Sequence, residues 1–304
     1  MEKTKNLKKA VFLIILSAFF FAFMNLFVRL SGDVPIVQKT FFRNFFALII
    51  ASFTMIKRNR ASRHSDGENS SGHKILPKRE EAFDLLMRSG FGYLGVVCNF
   101  YALSNLPVAD ASLLNKMSPF FAIIFSGFLL KERADKIQWL MVLTAFAGVV
   151  FVLKPDANLQ IFPSISGLIG GACAGLAYTF VRRASSKGTP GYYIVFFFSA
   201  FSCLCALPFV VFDFHPMKLE QLLYLLGAGC AAAGGQFSIT AAYSFAPAKE
   251  VSIYDYSSVI FTAILSFIFM SEVPDLYSFI GFLIIIAAAI VMFVYNNRKS
   301  SSGK

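Results

Sequence analysis

The chain has 304 residues, of which 57% are hydrophobic and only 15% are charged. Soluble domains carry about a quarter charged residues, so this composition excludes an ordinary water-exposed globule and indicates a membrane protein. The formal charge of +11 fits contact with anionic lipid at the cytoplasmic face, and we predict no nucleic-acid binding.

Ten hydrophobic runs follow one another along the chain, and a membrane-spanning helix needs about 20 such residues. The runs are continuous rather than alternating, which favours helices over β-strands. We therefore predict an all-α multi-pass membrane protein with ten transmembrane helices. The predicted spans are 10–30, 36–56, 84–105, 108–130, 137–153, 164–182, 190–212, 220–245, 248–271 and 276–295.

The charges between these runs predict the orientation in the membrane. With a cytoplasmic N-terminus, the inner segments hold 21 of the 28 Lys and Arg residues, and the outer segments hold only Lys154 and Lys218. The positive-inside rule then places both termini in the cytoplasm, and we predict the plasma membrane as the location. The polar cytoplasmic loop 57–82 is predicted to be disordered, either as a passive tether or as a regulatory element.

The second half of the chain repeats the first. Residues 101–153 align without a gap on residues 241–293, with 12 of 53 positions identical, and the identities include Pro, Ser, Glu and Asp. We predict a first five-helix repeat at 1–153, a second at 164–295 and a cytoplasmic tail at 296–304. Five is an odd number, so the second repeat enters the membrane inverted, an arrangement typical of secondary transporters.

A family resemblance rests on three stretches. These are FYALSNLPVADASLLNKMSPFFAIIFSGFLLKE (100–132), its partner AAYSFAPAKEVSIYDYSSVIFTAILSFIFMSE (241–272) and the FFRN around Arg43. In them the chain resembles the EamA-type branch of the drug/metabolite transporter superfamily. The resemblance implies two five-helix halves and transport of a small solute, but it does not name the substrate, because the family exports amino acids, sugars, nucleotides and drugs.

Lys116 lies deep inside an apolar run, about nine residues or roughly 12–14 Å from its outer end at Pro107. Asp255 occupies the position of Asn115 in the second repeat, about 10–12 Å from the inner boundary. A lysine stem of about 6 Å nearly spans the remaining gap, which predicts a Lys116–Asp255 pair. The pair either holds two helices together, or it faces a water-filled cavity. In the second case Lys116 binds a substrate anion and Asp255 binds an amine or a proton.

Further polar residues are candidates for the same substrate-binding site. Arg43, inside the second span, either adds positive potential to the cavity or pairs with Asp33. The twin glycines Gly170-Gly171 and Gly234-Gly235 predict close helix contact, with hinging as the alternative. The other substrate-binding candidates are Asn25, Tyr101, Asn115, Gln236, Tyr254 and Tyr256.

The sequence contains no Walker motif, no catalytic constellation and no metal-ligand spacing, so we predict neither an enzyme nor a cofactor. Energy would come from a gradient, with Asp255 as the proton-coupling candidate. The predicted function is a secondary active transporter that exports a small polar metabolite with an anionic group, such as an amino acid or carboxylate. The alternatives are an exporter of lipophilic or organic cations, and a non-transporting membrane receptor or scaffold.

Overall fold

The computed structural model describes residues 2–65, 79–129, 134–153, 161–245 and 252–302. All regular secondary structure in these ranges is helical. The elements are α1 (Glu2–Leu30), α2 (Ile36–Ser65), α3 (Arg79–Asn105), α4 (Val108–Asn115), α5 (Ser118–Leu129), α6 (Lys136–Leu153), α7 (Ile161–Ser186), α8 (Gly191–Phe212), α9 (Leu219–Phe245), a 3-10 helix (Ser252–Tyr256), α10 (Ser257–Met270) and α11 (Leu276–Ser302).

The described helices form ten segments along the chain, because α4 and α5 make one interrupted segment and the 3-10 helix and α10 make another. Seven of the segments are long and apolar enough to cross a membrane, and Lys136–Val152 and Tyr254–Met270 are shorter apolar helices. The remaining segment, α3, carries Arg88 and Asn99 within its apolar stretch. The multi-pass helical class is therefore supported, while ten spans and two cytoplasmic termini stay predictions.

The predicted loop 57–82 is shorter in the structure than in the prediction. Helix α2 continues to Ser65, and α3 begins at Arg79, so both ends of the predicted loop are helical. The segment after residue 56 is rich in Lys and Arg, which are good helix formers, and its first glycine is Gly67. Residues 66–78 of the predicted loop lie outside the described residues.

Helix packing follows a two-fold pattern that interleaves the two halves of the chain. Helix α1 packs on α9, and its counterpart α7 packs on α3. The broken segment α4–α5 packs on α7, and its counterpart, the 3-10 helix with α10, packs on α1. Two further pairs join equivalent helices to each other, namely α2 with α8 and α6 with α11, and the two broken segments touch each other through α4 and α10. Exchanging each segment for its counterpart thus maps these contacts onto one another.

Glycines of α7 allow this helix to touch the backbone of the α4–α5 segment. A Cβ atom at Gly171 would lie 2.6 Å from the carbonyl oxygen of Leu114, and one at Gly175 would lie 2.6 Å from the carbonyl oxygen of Ser118. Real Cβ atoms do not approach backbone so closely, so the helices fit together only with glycine at both positions. Gly235 of α9 packs in the same way on an aromatic ring of α1. The close packing predicted for the twin glycines is confirmed at these contacts.

Candidate functional site

The helix that carries Lys116 is broken at that residue. Helix α4 ends at Asn115, and α5 begins after Met117. Pro119 explains the break, because its nitrogen has no hydrogen to donate to the carbonyl four residues earlier and its ring crowds the preceding turn. The amide of Phe120 donates to the carbonyl oxygen of Met117 at 3.0 Å. The carbonyl of Lys116 is therefore released from the usual helical pattern.

Tyr256 supplies the hydrogen-bond donor that this carbonyl lacks within its own helix. Its hydroxyl donates a hydrogen bond of 2.9 Å to the Lys116 carbonyl oxygen, and its side chain is buried. Tyr256 is the residue that matches Lys116 in the second repeat, and it ends the 3-10 helix that precedes α10. Equivalent irregular points of the two halves thus touch each other. The structure places this predicted binding residue against backbone, where its contact supports the broken helix.

The predicted Lys116–Asp255 pair is present. The Lys116 Nζ atom lies 2.6 Å from Asp255 Oδ2, and the two side chains retain 12% and 19% of their exposure. The other carboxylate oxygen, Asp255 Oδ1, is buried and has no hydrogen-bond partner among the described residues. One oxygen of Asp255 is thus engaged within the protein, and the other is available to a ligand or a proton.

A cavity lies beside this pair, between helices of both halves. Its empty volume, counted out to the open mouth and including space open to solvent, is about 850 Å³. Six of the nine predicted binding residues come together in its wall. They are Asn25, Arg43, Asn115, Lys116, Gln236 and Asp255.

Two other predicted binding residues lie away from the cavity. Tyr101 on α3 is 37% exposed, and Tyr254 is 39% exposed with its ring edge-to-face against Phe293. The α3 residues that do line the cavity recur at intervals of three and four, ending with Asn99 and Phe100. Tyr101 follows Asn99 by two positions and therefore lies nearly opposite on the helix.

Arg88 lines the cavity although it was not predicted as a site residue. It lies on the same stripe of α3 as Gly92 and Asn99, and only 6% of it is exposed. Its guanidinium lies 4.1 Å from the ring centroid of Phe198 on α8, and that of Arg43 lies 5.9 Å from the same centroid. The sequence signal was the spacing of Arg88, Gly92 and Asn99 along one helical face.

The cavity wall carries excess positive charge. Its charged members are Arg43, Arg88, Lys116 and Asp255, a net charge of +2. The hydrogen-bond partners of Arg43 are neutral: its Nη1 donates to Asn44 Oδ1 at 2.9 Å and its Nε to a methionine sulfur at 3.4 Å. Of the two alternatives for Arg43, the structure favours the contribution to the cavity over a pair with an outer acid.

A second ion pair between the halves lies outside the cavity wall. Arg29 Nη2 is 3.3 Å from Glu272 Oε1, and Glu272 Oε2 accepts the backbone N–H of Val108 at 3.0 Å. Arg29 also donates to the carbonyl oxygens of Leu103 and Ser104. These contacts join the end of α1, the α3–α4 turn and the segment between α10 and α11.

Comparison with known proteins identifies a family whose sequence pattern matches both halves of the chain. The EamA-like transporter family matches the chain twice, over residues 8–154 and over residues 162–294. The chain is 31% identical to the pseudopaline exporter CntI of Pseudomonas aeruginosa strain UCBPP-PA14 over 290 residues, covering 94% of this chain and 96% of that protein.

More distant similarities agree on the fold and on transport. The chain is 25% identical to the S-adenosylmethionine uptake transporter of Rickettsia prowazekii over 229 residues, 75% of this chain and 76% of that protein. A solved crystal structure superposes with a TM-score of 0.65 at 18% identity, covering 96% of this chain and 98% of that one. At that identity the superposition supports the fold alone.

Proposed function

The chain belongs to the EamA-like transporter family, within the drug/metabolite transporter superfamily, and on that premise we propose a secondary active transporter that exports a small polar metabolite with an anionic group. An amino acid or a carboxylate is the proposed substrate class. The similar proteins named above include an exporter and an uptake transporter. Export is proposed because the exporter shares more of its sequence and length with this chain.

The excess positive charge of the cavity carries this proposal. Three cationic side chains and one carboxylate line it, so an anionic or zwitterionic solute would gain attraction there that an organic cation would not. In the proposed site, Lys116 contacts the anionic group, Arg43 adds positive potential to the cavity, and Asp255 accepts an amine through Oδ1. Asn25, Asn115 and Gln236 supply neutral hydrogen-bonding groups around the solute.

Alternating access is the proposed mechanism. It requires two related halves that exchange roles around a central site. The self-matching packing of the helices and the double family match support it. In this scheme the halves are residues 1–153 and 164–295, ten helices span the plasma membrane, both termini are cytoplasmic, and residues 296–304 form a tail.

Proton coupling at Asp255 is the proposed energy source. A substrate anion that draws Lys116 away would leave the Asp255 carboxylate without its cation, 2.6 Å distant in the unloaded protein. An uncompensated charge at that depth is costly, so a proton or the substrate amine would replace the cation. Substrate and proton would then compete for the Asp255 carboxylate, and this competition would couple the export of one to the entry of the other.

Aromatic residues in the cavity favour a second candidate function, the export of lipophilic or organic cations. Phe21, Phe100, Tyr178 and Phe198 line the cavity, and aromatic faces attract cations. The net positive charge of the wall opposes this candidate. A receptor or scaffold without transport is the remaining alternative, and it differs from both in that it would bind a solute without moving it.

Counterflow in proteoliposomes tests the proposal. Purified protein would be assayed with radiolabelled amino acids, dicarboxylates and organic cations, as wild type, Lys116→Met and Lys187→Met. Lys187 is the matched control, because its Nζ also lies 2.6 Å from a carboxylate, Asp84, which keeps a second partner in Arg183.

We expect counterflow of an anionic or zwitterionic solute, reduced at least about tenfold by Lys116→Met and unchanged by Lys187→Met. Counterflow of organic cations alone would favour the second candidate. Saturable binding without counterflow would favour a receptor. Proton coupling requires that an imposed pH gradient drive net flux in wild type and not in Asp255→Asn.

A further inference from the structure

We propose that Arg43, Arg88 and Phe198 form a separate oxyanion subsite, so that the substrate carries an additional carboxylate or phosphate beyond its amino-acid end. This inference rests on the proposed function and names its substrate class: acidic amino acids or phosphorylated amino acids. The amino-acid end occupies the Lys116–Asp255 pair, and the additional anion occupies the two arginines.

Arg88 is a buried cation that lacks a carboxylate partner in the described part of the chain. Only 6% of it is exposed, and its Nε has no hydrogen-bond partner there. Its guanidinium lies 4.1 Å from the ring centroid of Phe198. A buried, unpaired charge is strongly unfavourable. Its position in the wall of the cavity therefore points to an anion that arrives with the ligand.

Arg43 is held in place by neutral groups that leave its charge uncompensated. The Asn44 side chain donates from Nδ2 to the carbonyl oxygen of Thr40 at 2.9 Å, which fixes the amide so that its oxygen accepts from Arg43 Nη1. Among the described residues, no hydrogen bond uses Arg43 Nη2. The guanidinium is thus oriented by the protein, and part of its donor set remains for a ligand.

Phe198 brings the two guanidinium groups to one place. It is 3% exposed, and both arginines contact its ring from different helices. Two neighbouring cations repel each other, and a shared oxyanion removes that repulsion. Planar guanidinium groups also offer paired N–H donors that match the two oxygens of a carboxylate or phosphate.

The Lys116–Asp255 pair supplies a different chemistry within the same cavity. It presents one cation and one carboxylate whose Oδ1 has no partner among the described residues. Such a bipolar pair suits the carboxylate and ammonium of an amino acid. Since the arginines add two cations that no cavity-lining acid balances, a neutral zwitterion would leave them unpaired, and a net anionic amino acid would not.

Gly92 offers a way to displace Arg88 without removing its charge. A Cβ atom at Gly92 would overlap Arg88 Nη1 and would lie 2.9 Å from the Phe198 ring. Gly92→Ala therefore moves the guanidinium while keeping it in the protein. Gly90, two residues away on the same helix, has nothing within 4 Å of such an atom, so Gly90→Ala is the matched control.

Equilibrium binding to the purified full-length protein tests the subsite. The probes are L-glutamate and O-phospho-L-serine, with L-glutamine as the probe that has nearly the shape of glutamate without its side-chain charge. We expect wild type to bind one of the two charged probes at least about tenfold more tightly than L-glutamine. The better charged probe distinguishes a carboxylate from a phosphate ligand.

Arg88→Gln and Gly92→Ala should remove this preference by weakening the binding of the charged probe, and Gly90→Ala should retain the preference. Equal binding of charged and neutral probes in wild type, or a preference that survives Arg88→Gln, overturns the subsite. If L-glutamine binding is then abolished by Lys116→Met, the proposed function stands without the subsite. Binding of none of the three probes overturns the substrate class and the subsite together.

The ligand-free protein gives a second test that does not depend on the choice of probe. If Arg88 is an unpaired buried cation, Arg88→Gln should raise the apparent melting temperature. A clear decrease would mean that Arg88 supports the fold, and it would overturn the subsite.

Discussion

Lys116→Met removes the ammonium group that lies 2.6 Å from Asp255 and leaves the carboxylate in the cavity wall. Removing one partner of a fully buried pair costs about 3–5 kcal/mol. These side chains keep 12% and 19% of their exposure, and the cavity reaches solvent at its mouth. We therefore expect about half of that cost, about 1.5–2.5 kcal/mol. Asp255→Asn should cost less, because the long lysine stem lets the remaining ammonium reach cavity water.

The double variant Lys116→Met/Asp255→Asn removes both charges together. It should be more stable than Lys116→Met alone, because no carboxylate is left without its cation. The coupling energy of the thermodynamic cycle should be about 1–2 kcal/mol, as found for contacting charged groups. The double variant should nevertheless lose substrate binding. The substrate needs the two charges themselves, whereas stability requires only that neither charge is left without its partner.

Thermal unfolding in one detergent, with the four proteins side by side, measures this cycle. For a chain of this size about 1 kcal/mol corresponds to no more than about 2–4 °C. The control Lys187→Met should shift the melting temperature less than Lys116→Met, because Lys187 is 42% exposed and its acid keeps a second partner. Additive single-variant effects, with no recovery in the double variant, would refute the energetic role assigned to the pair.

Three further variants probe the surroundings of the site. Tyr256→Phe leaves the Lys116 carbonyl without the hydroxyl that donates to it, and should cost about 1–2 kcal/mol of stability by thermal unfolding. Gly171→Ala places a methyl group against the carbonyl of Leu114, and should cost about 1–3 kcal/mol and reduce transport, measured by unfolding and counterflow together. Glu272→Gln weakens a pair whose side chains are about one-fifth exposed, and should lower stability by no more than about 1 kcal/mol in a melting experiment.

Each of these variants has an outcome that contradicts its reasoning. Unchanged stability of Tyr256→Phe would mean that water replaces the hydroxyl at no cost. Gly171→Ala should be compared with Gly90→Ala, the same replacement at a position without neighbours, and equal stability of the two would disprove the close packing. A loss for Glu272→Gln larger than that for Lys116→Met would reverse the assigned importance of the two ion pairs.

The apolar runs of the sequence determined the class and the positions of the helices. A backbone in lipid must satisfy its own hydrogen bonds, so a long apolar run has few alternatives to a helix. The offset of 140 residues between the repeats placed Asp255 at the position of Asn115, and the helical rise then predicted its distance from Lys116. That prediction needed only depth along the helix axis, and depth follows directly from residue number.

Rotation about the helix axis was decided by the tertiary structure. These helices are apolar on nearly every face, because both lipid and neighbouring helices accept apolar side chains, so composition does not mark the face that borders the cavity. Tyr101 was therefore predicted as a cavity residue although it lies outside, and Arg88 was not predicted although it lies inside. The meeting of Arg43 and Arg88 on Phe198 joins three helices, and only the packing of those helices brings the two cations to one ring.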